Sequence, residues 1–195
     1  MNYVEDPTLI VGNTGAGKST AIASILGHLL RRKSTDTNVL YYDAKACKNV
    51  INLYENISDL CRTVDERLRY REHTLSGKSY EEYKELNTEE FMPRIVVVID
   101  NYDVAYDNMT NDNVCNVVPS LQRLVEKRKQ LGTNIILSTS SVKCLPIAFD
   151  MFINKIILRT NQELPSTLDS SELKEPGECL FVCGEESTKA NLRDL

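Results

Sequence analysis

The chain has no C-x-x-C pair, only two histidines, no apolar run of membrane-spanning length and no excess of positive charge. Each absence excludes something. Six cysteines are present (Cys47, Cys61, Cys115, Cys144, Cys179 and Cys183), with only His28 and His73 to complete a metal site. Cys179 and Cys183 share a face of a strand-like run but stand too far apart for one zinc. Buried or half-buried free thiols in a reducing compartment are the expectation. With 28 acidic against 23 basic side chains the net charge is -5, so the average surface attracts neither nucleic acid nor an anionic membrane. Met1–Asp6 is not a signal peptide, and neither a repeat nor a low-complexity stretch occurs. A length of 195 residues, 42% hydrophobic and 26% charged, suits one globular domain and would cramp a second.

What is there centres on Thr8-Leu9-Ile10-Val11-Gly12-Asn13-Thr14-Gly15-Ala16-Gly17-Lys18-Ser19-Thr20. An apolar strand leads into G-x-x-x-x-G-K-S, and a helix follows. Gly12, Gly15 and Gly17 are expected to take positive φ and let the backbone approach a polyphosphate, while freed N–H groups and the helix N-terminus face the anion. Lys18 adds charge for the outer phosphates, and the Ser19 hydroxyl suits magnesium. Ile22, Ile25, Leu26, Leu29 and Leu30 recur at helical spacing and predict a core face. The stretch reads as a nucleotide-binding P-loop over residues 12–20.

Further along, Val39–Tyr42 predicts a second strand ending in Asp43. A helix beginning near Ser58 buries Leu60, Cys61, Val64 and Leu68 and leaves Arg62, Asp65, Glu66, Arg67 and Arg69 in solvent. Ser79-Tyr80-Glu81-Glu82 fits a capping box for a short helix through Leu86, followed by a loop from Asn87 to Pro93. Arg94–Asp100 is a strand without polar alternation, so both its faces are covered, as in a parallel sheet. Asn108–Asn113 reads as a turn and Pro119–Leu131 as a helix, with Leu121, Leu124 and Val125 inward and Gly132 as its left-handed cap. Asn134–Ser138 and Lys155–Leu158 are further buried strands, and Cys179–Val182 an edge strand of a hairpin. Alternating strands and helices predict an α/β fold with a mainly parallel sheet.

Asp100, ending an apolar strand downstream of a P-loop, is the expected magnesium partner of Ser19. The next position, where many P-loop ATPases carry a glutamate, holds Asn101, whose amide cannot take a proton. Asp43 and Asp103 are substitute carboxylates, and Asp43 has the better claim because the ends of parallel strands face the ligand. If Asn134–Ser138 lies between the P-loop strand and the Asp100 strand, Thr139-Ser140-Ser141 reaches the γ-phosphate with hydroxyls alone.

The ordered set of P-loop, Tyr42-Asp43-Ala44-Lys45, Asp65–Arg71, Ile95–Asp100 and Thr133–Thr139 resembles the FtsK/SpoIIIE family of motor ATPases over nearly the whole chain. Val98-Ile99-Asp100-Asn101-Tyr102-Asp103 looks more like the downstream modules of type VII secretion ATPases (EssC/YukB type) than like DNA translocases. The resemblance implies a RecA-like P-loop fold, ATP and Mg2+ as cofactors, and residues 1–195 as one module of a longer, membrane-anchored protein with its domain in the cytoplasm. It implies neighbouring ATPase modules and small helical secreted proteins as partners, with any membrane contact made by regions outside this stretch. Lys18, Ser19 and Asp100 carry over. The aspartate–glutamate pair and the glutamine sensor do not, being replaced by Asp100-Asn101 and Ser138-Thr139-Ser140, so weak or absent hydrolysis is expected. Asn101→Glu would raise turnover if the missing base were the limiting defect.

Four other readings are open to the sequence. A GTPase needs N-K-x-D after a strand, and Asn154-Lys155-Ile156-Ile157 enters one. A kinase lid would draw on Arg62, Arg67, Arg69 and Arg71, whose mixed-charge context reads better as a solvated face. A DNA translocase would use Arg123, Lys127, Arg128 and Lys129, against the acidic balance. An interaction platform without turnover is the remaining alternative, and Arg128 or Arg159 could serve a neighbouring site as an arginine finger.

Overall fold

The computed structural model describes residues 2–31, 37–45, 54, 56–86, 92–164, 168, 170–175, 177–184 and 186–194. Cys47, residues 87–91 of the loop expected from Asn87 to Pro93, and Pro176 lie outside them. Five strands run parallel: β1 (Thr8–Val11), β2 (Thr37–Asp43), β3 (Arg94–Asp100), β4 (Thr133–Thr139) and β5 (Asn154–Leu158). Two more, β6 (Glu178–Cys183) and β7 (Glu186–Asn191), continue the sheet antiparallel, and the order is β2-β3-β4-β1-β5-β6-β7. The mainly parallel α/β sheet is the one expected.

Helices cover both faces: α1 (Lys18–Arg31), α2 (Ile57–Leu75), α3 (Tyr80–Leu86), α4 (Tyr102–Asp107), α5 (Asn111–Glu126) and α6 (Arg128–Leu131). Successive strand residues point to opposite faces. Leu9 and Val11 therefore join the core under α2 and α5, while Ile10 joins the core under α1. Val97 and Ile99 divide from Val96 and Val98 in the same way. This is why the central strands carry no polar alternation. Ser79 and Glu82 do form the reciprocal capping box, with Glu82 N–H donating to Ser79 Oγ at 3.3 Å and Ser79 N–H to Glu82 Oε2 at 2.7 Å. Gly132 caps α6 at φ 64°.

Several expectations need correction. The stretch 108–113 is not simply a turn: Asn108 ends α4, and Thr110 caps α5 by accepting the Asn113 N–H, so Asn111–Asn113 form its first turn. Pro119 consequently sits inside α5 rather than at its start, giving up one backbone donor. The helix also breaks at Lys127, between α5 and α6. Leu30 is exposed rather than on the core face of α1. The strand at Cys179–Val182 is not the edge, because β7 pairs outside it. Cys115 and Cys183 are exposed, the first on the solvent side of α5 and the second where β6 runs out beside its turn, while Cys61 and Cys179 are buried and Cys144 is half-buried. Arg71 does not belong to a solvated face but is buried against backbone carbonyls.

Candidate nucleotide site

All five parallel strands end along one edge of the sheet, and the candidate residues gather there. The P-loop is slung between its neighbours: Gly12 N–H donates to Thr139 O of β4 at 3.3 Å, and Asn13 N–H to Arg159 O just past β5 at 2.9 Å. Asn161 N–H donates to Asn13 Oδ1 at 3.2 Å. Within the loop Gly15 (φ 83°) and Gly17 (φ 106°) take the left-handed conformations expected of them. Gly12 does not. Its need is space, since a Cβ there would lie 2.7 Å from Leu158 Cβ and 3.2 Å from Ala16 Cβ.

Gly12 and Gly15 therefore differ in what alanine would do. Gly12→Ala must push the P-loop off β5, because Leu158 Cβ is fixed to its strand, and is expected to cost about 1–3 kcal/mol. Gly15→Ala meets nothing within 4 Å and carries only left-handed backbone strain, about 1–2 kcal/mol. Denaturant unfolding gives the stability changes. Nucleotide titration should show the greater loss of affinity in Gly12→Ala, whose backbone has moved.

Lys18 folds back over the loop, its Nζ donating to Gly12 O at 2.8 Å and Asn13 O at 3.2 Å. Burial pushes its pKa below the ordinary lysine value, while the Asp103 carboxylate opposes that shift. Ser19 and Thr20, in the first turn of α1, are exposed. On the other side Asp100 is only 1% exposed, and one of its carboxylate oxygens accepts from Ser138 Oγ. Ser138 Oγ in turn accepts the Asn101 N–H at 2.9 Å. Asn101 occupies the left-handed region (φ 57°), which asparagine tolerates better than most residues, and its Nδ2 donates to Asp43 Oδ1 at 3.0 Å. Beyond β4, Ser140 Oγ donates to Asp103 Oδ2. The strand β4 does lie between β1 and β3.

A cavity of about 590 Å³ opens beside Thr14–Gly17 and is walled by Arg159, Asn161, Lys174, Glu178, Leu192 and Arg193. The motif pattern missed this wall, because polar residues after β5 and on a C-terminal hairpin carry no periodic or motif signal. Glu178 braces it: its carboxylate accepts the N–H groups of Lys174 (2.7 Å) and Glu175 (3.0 Å) and pairs with Lys189 at 2.9 Å. These partners pull its pKa from 4.5 down to about 2, the backbone donor of Glu175 foremost. A carboxylate depressed in the folded state contributes stability that is present above its ordinary pKa and is lost as pH falls through about 2. In urea unfolding, the advantage of the wild type over Glu178→Gln is therefore expected to shrink between pH 5 and pH 2.

Other sequence candidates fall elsewhere. Arg123 and Lys127 both pair with Glu72, at 2.5 and 3.1 Å, leaving less free charge for a duplex. Arg128 Nη1 donates to Val125 O at 3.1 Å. Asn154 and Lys155 are buried in β5, where no guanine specificity loop could form.

A P-loop after one strand, a buried aspartate at the end of another and a cavity of about 590 Å³ beside the loop define a P-loop nucleotide-binding fold. The family model described as AAA domain matches residues 3–145, and the chain belongs to that family. The fold is similar to the cytoplasmic domain of the type VII secretion ATPase EccC of Thermomonospora curvata (TM-score 0.73, 17% identity, 97% of this chain and 24% of that one). It is also similar to ATPases 2 and 3 of EccC from the same organism in complex with a signal sequence peptide (TM-score 0.70, 18% identity, 91% of this chain and 37% of that one). The genome packaging NTPase B204 of Sulfolobus turreted icosahedral virus 2, bound to ATP-gammaS, matches over 98% of both chains at TM-score 0.53 and 16% identity. The chain thus spans well under half of the secretion ATPase structures. No curated protein matches the sequence. The RecA-like P-loop fold implied by the ordered motifs is the fold found. Among the described residues no helix is long and apolar enough to cross a membrane.

Proposed function

We propose that this chain is an ATP-binding module of a protein-secretion ATPase of the type VII kind, with weak hydrolysis of its own. The observation that carries the reading is the P-loop itself, with Lys18, left-handed Gly15 and Gly17 and an adjoining cavity on the same sheet edge as Asp100. Residues 12–20 hold the triphosphate, Lys18 neutralises its outer phosphates, and the cavity walled by Arg159 and Lys174 takes the nucleoside. The donor set fits magnesium: the Ser19 hydroxyl and the Asp100 carboxylate are hard oxygens, and Asp100 is buried where an uncompensated charge would be costly. Mg2+ there would screen the phosphate charge, with Ser138 holding the Asp100 carboxylate in place.

Similarity to EccC domains supports the secretion reading, including neighbouring ATPase modules and small helical secreted proteins as partners. Residues 1–195 are then one module of a longer, membrane-anchored protein whose domain sits in the cytoplasm. The end-to-end match to a genome packaging NTPase favours DNA translocation as the second reading, against which stand the net charge of -5 and the pairing of Arg123 and Lys127 with Glu72.

The test is an equilibrium titration with Mg-ATP of wild-type and Lys18→Ala protein, with duplex DNA binding measured across salt concentrations. Saturable binding by the wild type alone supports the nucleotide site. No binding at millimolar ATP removes it and leaves an interaction platform. DNA affinity falling steeply with salt would favour translocation.

A further inference from the structure

The site has a carboxylate gap at Asn101 and two nearby aspartates that could fill it, Asp43 and Asp103. The sheet order separates them. Asp43 ends β2, and in the order β2-β3-β4-β1 it stands three strand intervals from the P-loop strand, roughly 14 Å at about 4.8 Å per interval. Its Oδ1 is already engaged, by the Asn101 amide at 3.0 Å and the Lys45 N–H at 2.9 Å. Asn101 thus turns its side chain toward β2 and away from the P-loop strand.

Asp103 is placed differently. Its Oδ2 accepts from Ser140, which directly follows β4, the strand beside β1. The preceding residue, Thr139, accepts the Gly12 N–H of the P-loop itself. Asp103 therefore belongs to the strip of the sheet edge that borders the phosphate loop. Among charged neighbours it has the largest influence on Lys18, ahead of Lys45 and Asp100. Its second oxygen, Oδ1, is buried and has no hydrogen-bond partner among the described residues. A buried, unpartnered carboxylate oxygen is costly unless something binds it. As a bare helix-starting residue Asp103 would have no reason to bury that oxygen.

We propose that Asp103, oriented by Ser140, replaces the missing glutamate: once nucleotide binding opens the buried Oδ1 to water, it takes the attacking water and accepts its proton. This rests on the nucleotide-binding reading above and names the residues through which its turnover runs. In the step, the water oxygen bonds to the γ-phosphorus. The bond from that phosphorus to the β–γ bridging oxygen breaks, and its electron pair leaves with ADP. One water proton passes to Asp103 Oδ1 and later to solvent. Ser140 is a positioning residue, fixing the carboxylate through Oδ2.

The experiment uses the 195-residue chain and measures Mg-ATP affinity and single-turnover phosphate release separately. Asp103→Asn is expected to keep its Kd within about threefold and to lose at least about 100-fold in rate, the range for removal of a general base. That loss should exceed the loss in Asp43→Asn by at least tenfold. Ser140→Ala is expected to lower the rate about tenfold at unchanged Kd, to be rescued by Ser140→Thr, and to add nothing to Asp103→Asn in the double variant. Asn101→Glu, held in a left-handed backbone facing Asp43, should not raise the rate.

Three outcomes would overturn the proposal: Asp103→Asn turning over within threefold of wild type, a faster Asn101→Glu, or a wild type that binds Mg-ATP yet releases phosphate no faster than Lys18→Ala. If Asp103→Asn does not fold, Ser140→Ala and its threonine rescue decide. Absence of Mg-ATP binding by the wild type would instead remove the nucleotide-binding reading itself.

Discussion

Alanine in place of Lys18 is expected to lower Mg-ATP affinity by about 10- to 100-fold while changing unfolding stability by less than about 1 kcal/mol. The two parts have separate causes. Lys18 is buried and, among the described residues, has two backbone carbonyls, Gly12 O and Asn13 O, as its acceptors. Losing those bonds costs the loop about 1 kcal/mol each before water replaces the ammonium. Removing a desolvated cation returns a similar amount, and the depressed pKa of Lys18 is the sign of that penalty. The folded state should hardly register the change. A bound triphosphate would have no such compensation, because Lys18 is the one charged side chain of residues 12–20, and a charge-assisted contact in a partly desolvated site contributes about 1.5–3 kcal/mol. Titration calorimetry beside urea unfolding separates the two. An affinity loss under tenfold would mean that the nucleotide does not sit in the P-loop.

Much of this site could be read in the sequence, and the reason is local. The P-loop pattern fixes glycines, a lysine and a hydroxyl within a few residues, and Asp100 ends an apolar run whose burial on both faces shows in its composition. Strand order is a different matter. That β4 lies between β1 and β3 follows from crossovers no local window records, yet it determines which carboxylate lies nearer the P-loop strand. The sequence alone favoured Asp43, as the end of a parallel strand. It had no means of seeing that this strand is the edge farthest from the loop on that side. The two missed elements were hidden for other reasons. The six residues of α4 are too few for a helical period, and β7, Glu-Ser-Thr-Lys-Ala-Asn, is an edge strand whose exposed faces need no apolar alternation. Arg71 was misread because its neighbours Arg67 and Arg69 share its charge. Only the packing of α2 shows which of the three turns inward.

Arg71→Leu is expected to destabilise the fold by about 3 kcal/mol without touching nucleotide affinity. Arg71 is 4% exposed and its guanidinium spans three carbonyls: Nη1 donates to Leu131 O at 2.5 Å and Gly132 O at 3.1 Å, and Nη2 donates to Pro93 O. It also lies 5.5 Å from the centroid of the Tyr80 ring, whose hydroxyl donates to Met92 O at 2.8 Å. One side chain of α2 thus joins the end of α6, the chain before β3 and the start of α3. Burial lowers the Arg71 pKa to about 10, so the group stays charged at neutral pH. Each bond from a charged donor contributes about 1.5–3 kcal/mol, and Leu131 O and Pro93 O would be left short of a partner. Relief of the desolvated charge offsets part of the loss, which is why the sum of three bonds overstates it. Arg71→Lys should fall between, at about 1–2 kcal/mol, since a single ammonium cannot reach three carbonyls in one plane. These contacts lie where β3 and β4 begin, at the edge of the sheet opposite the P-loop. Under conditions where the variant is folded, its Mg-ATP Kd should therefore equal that of the wild type. Urea unfolding that places Arg71→Leu within 1 kcal/mol of wild type would show that α2 docks by its apolar face alone.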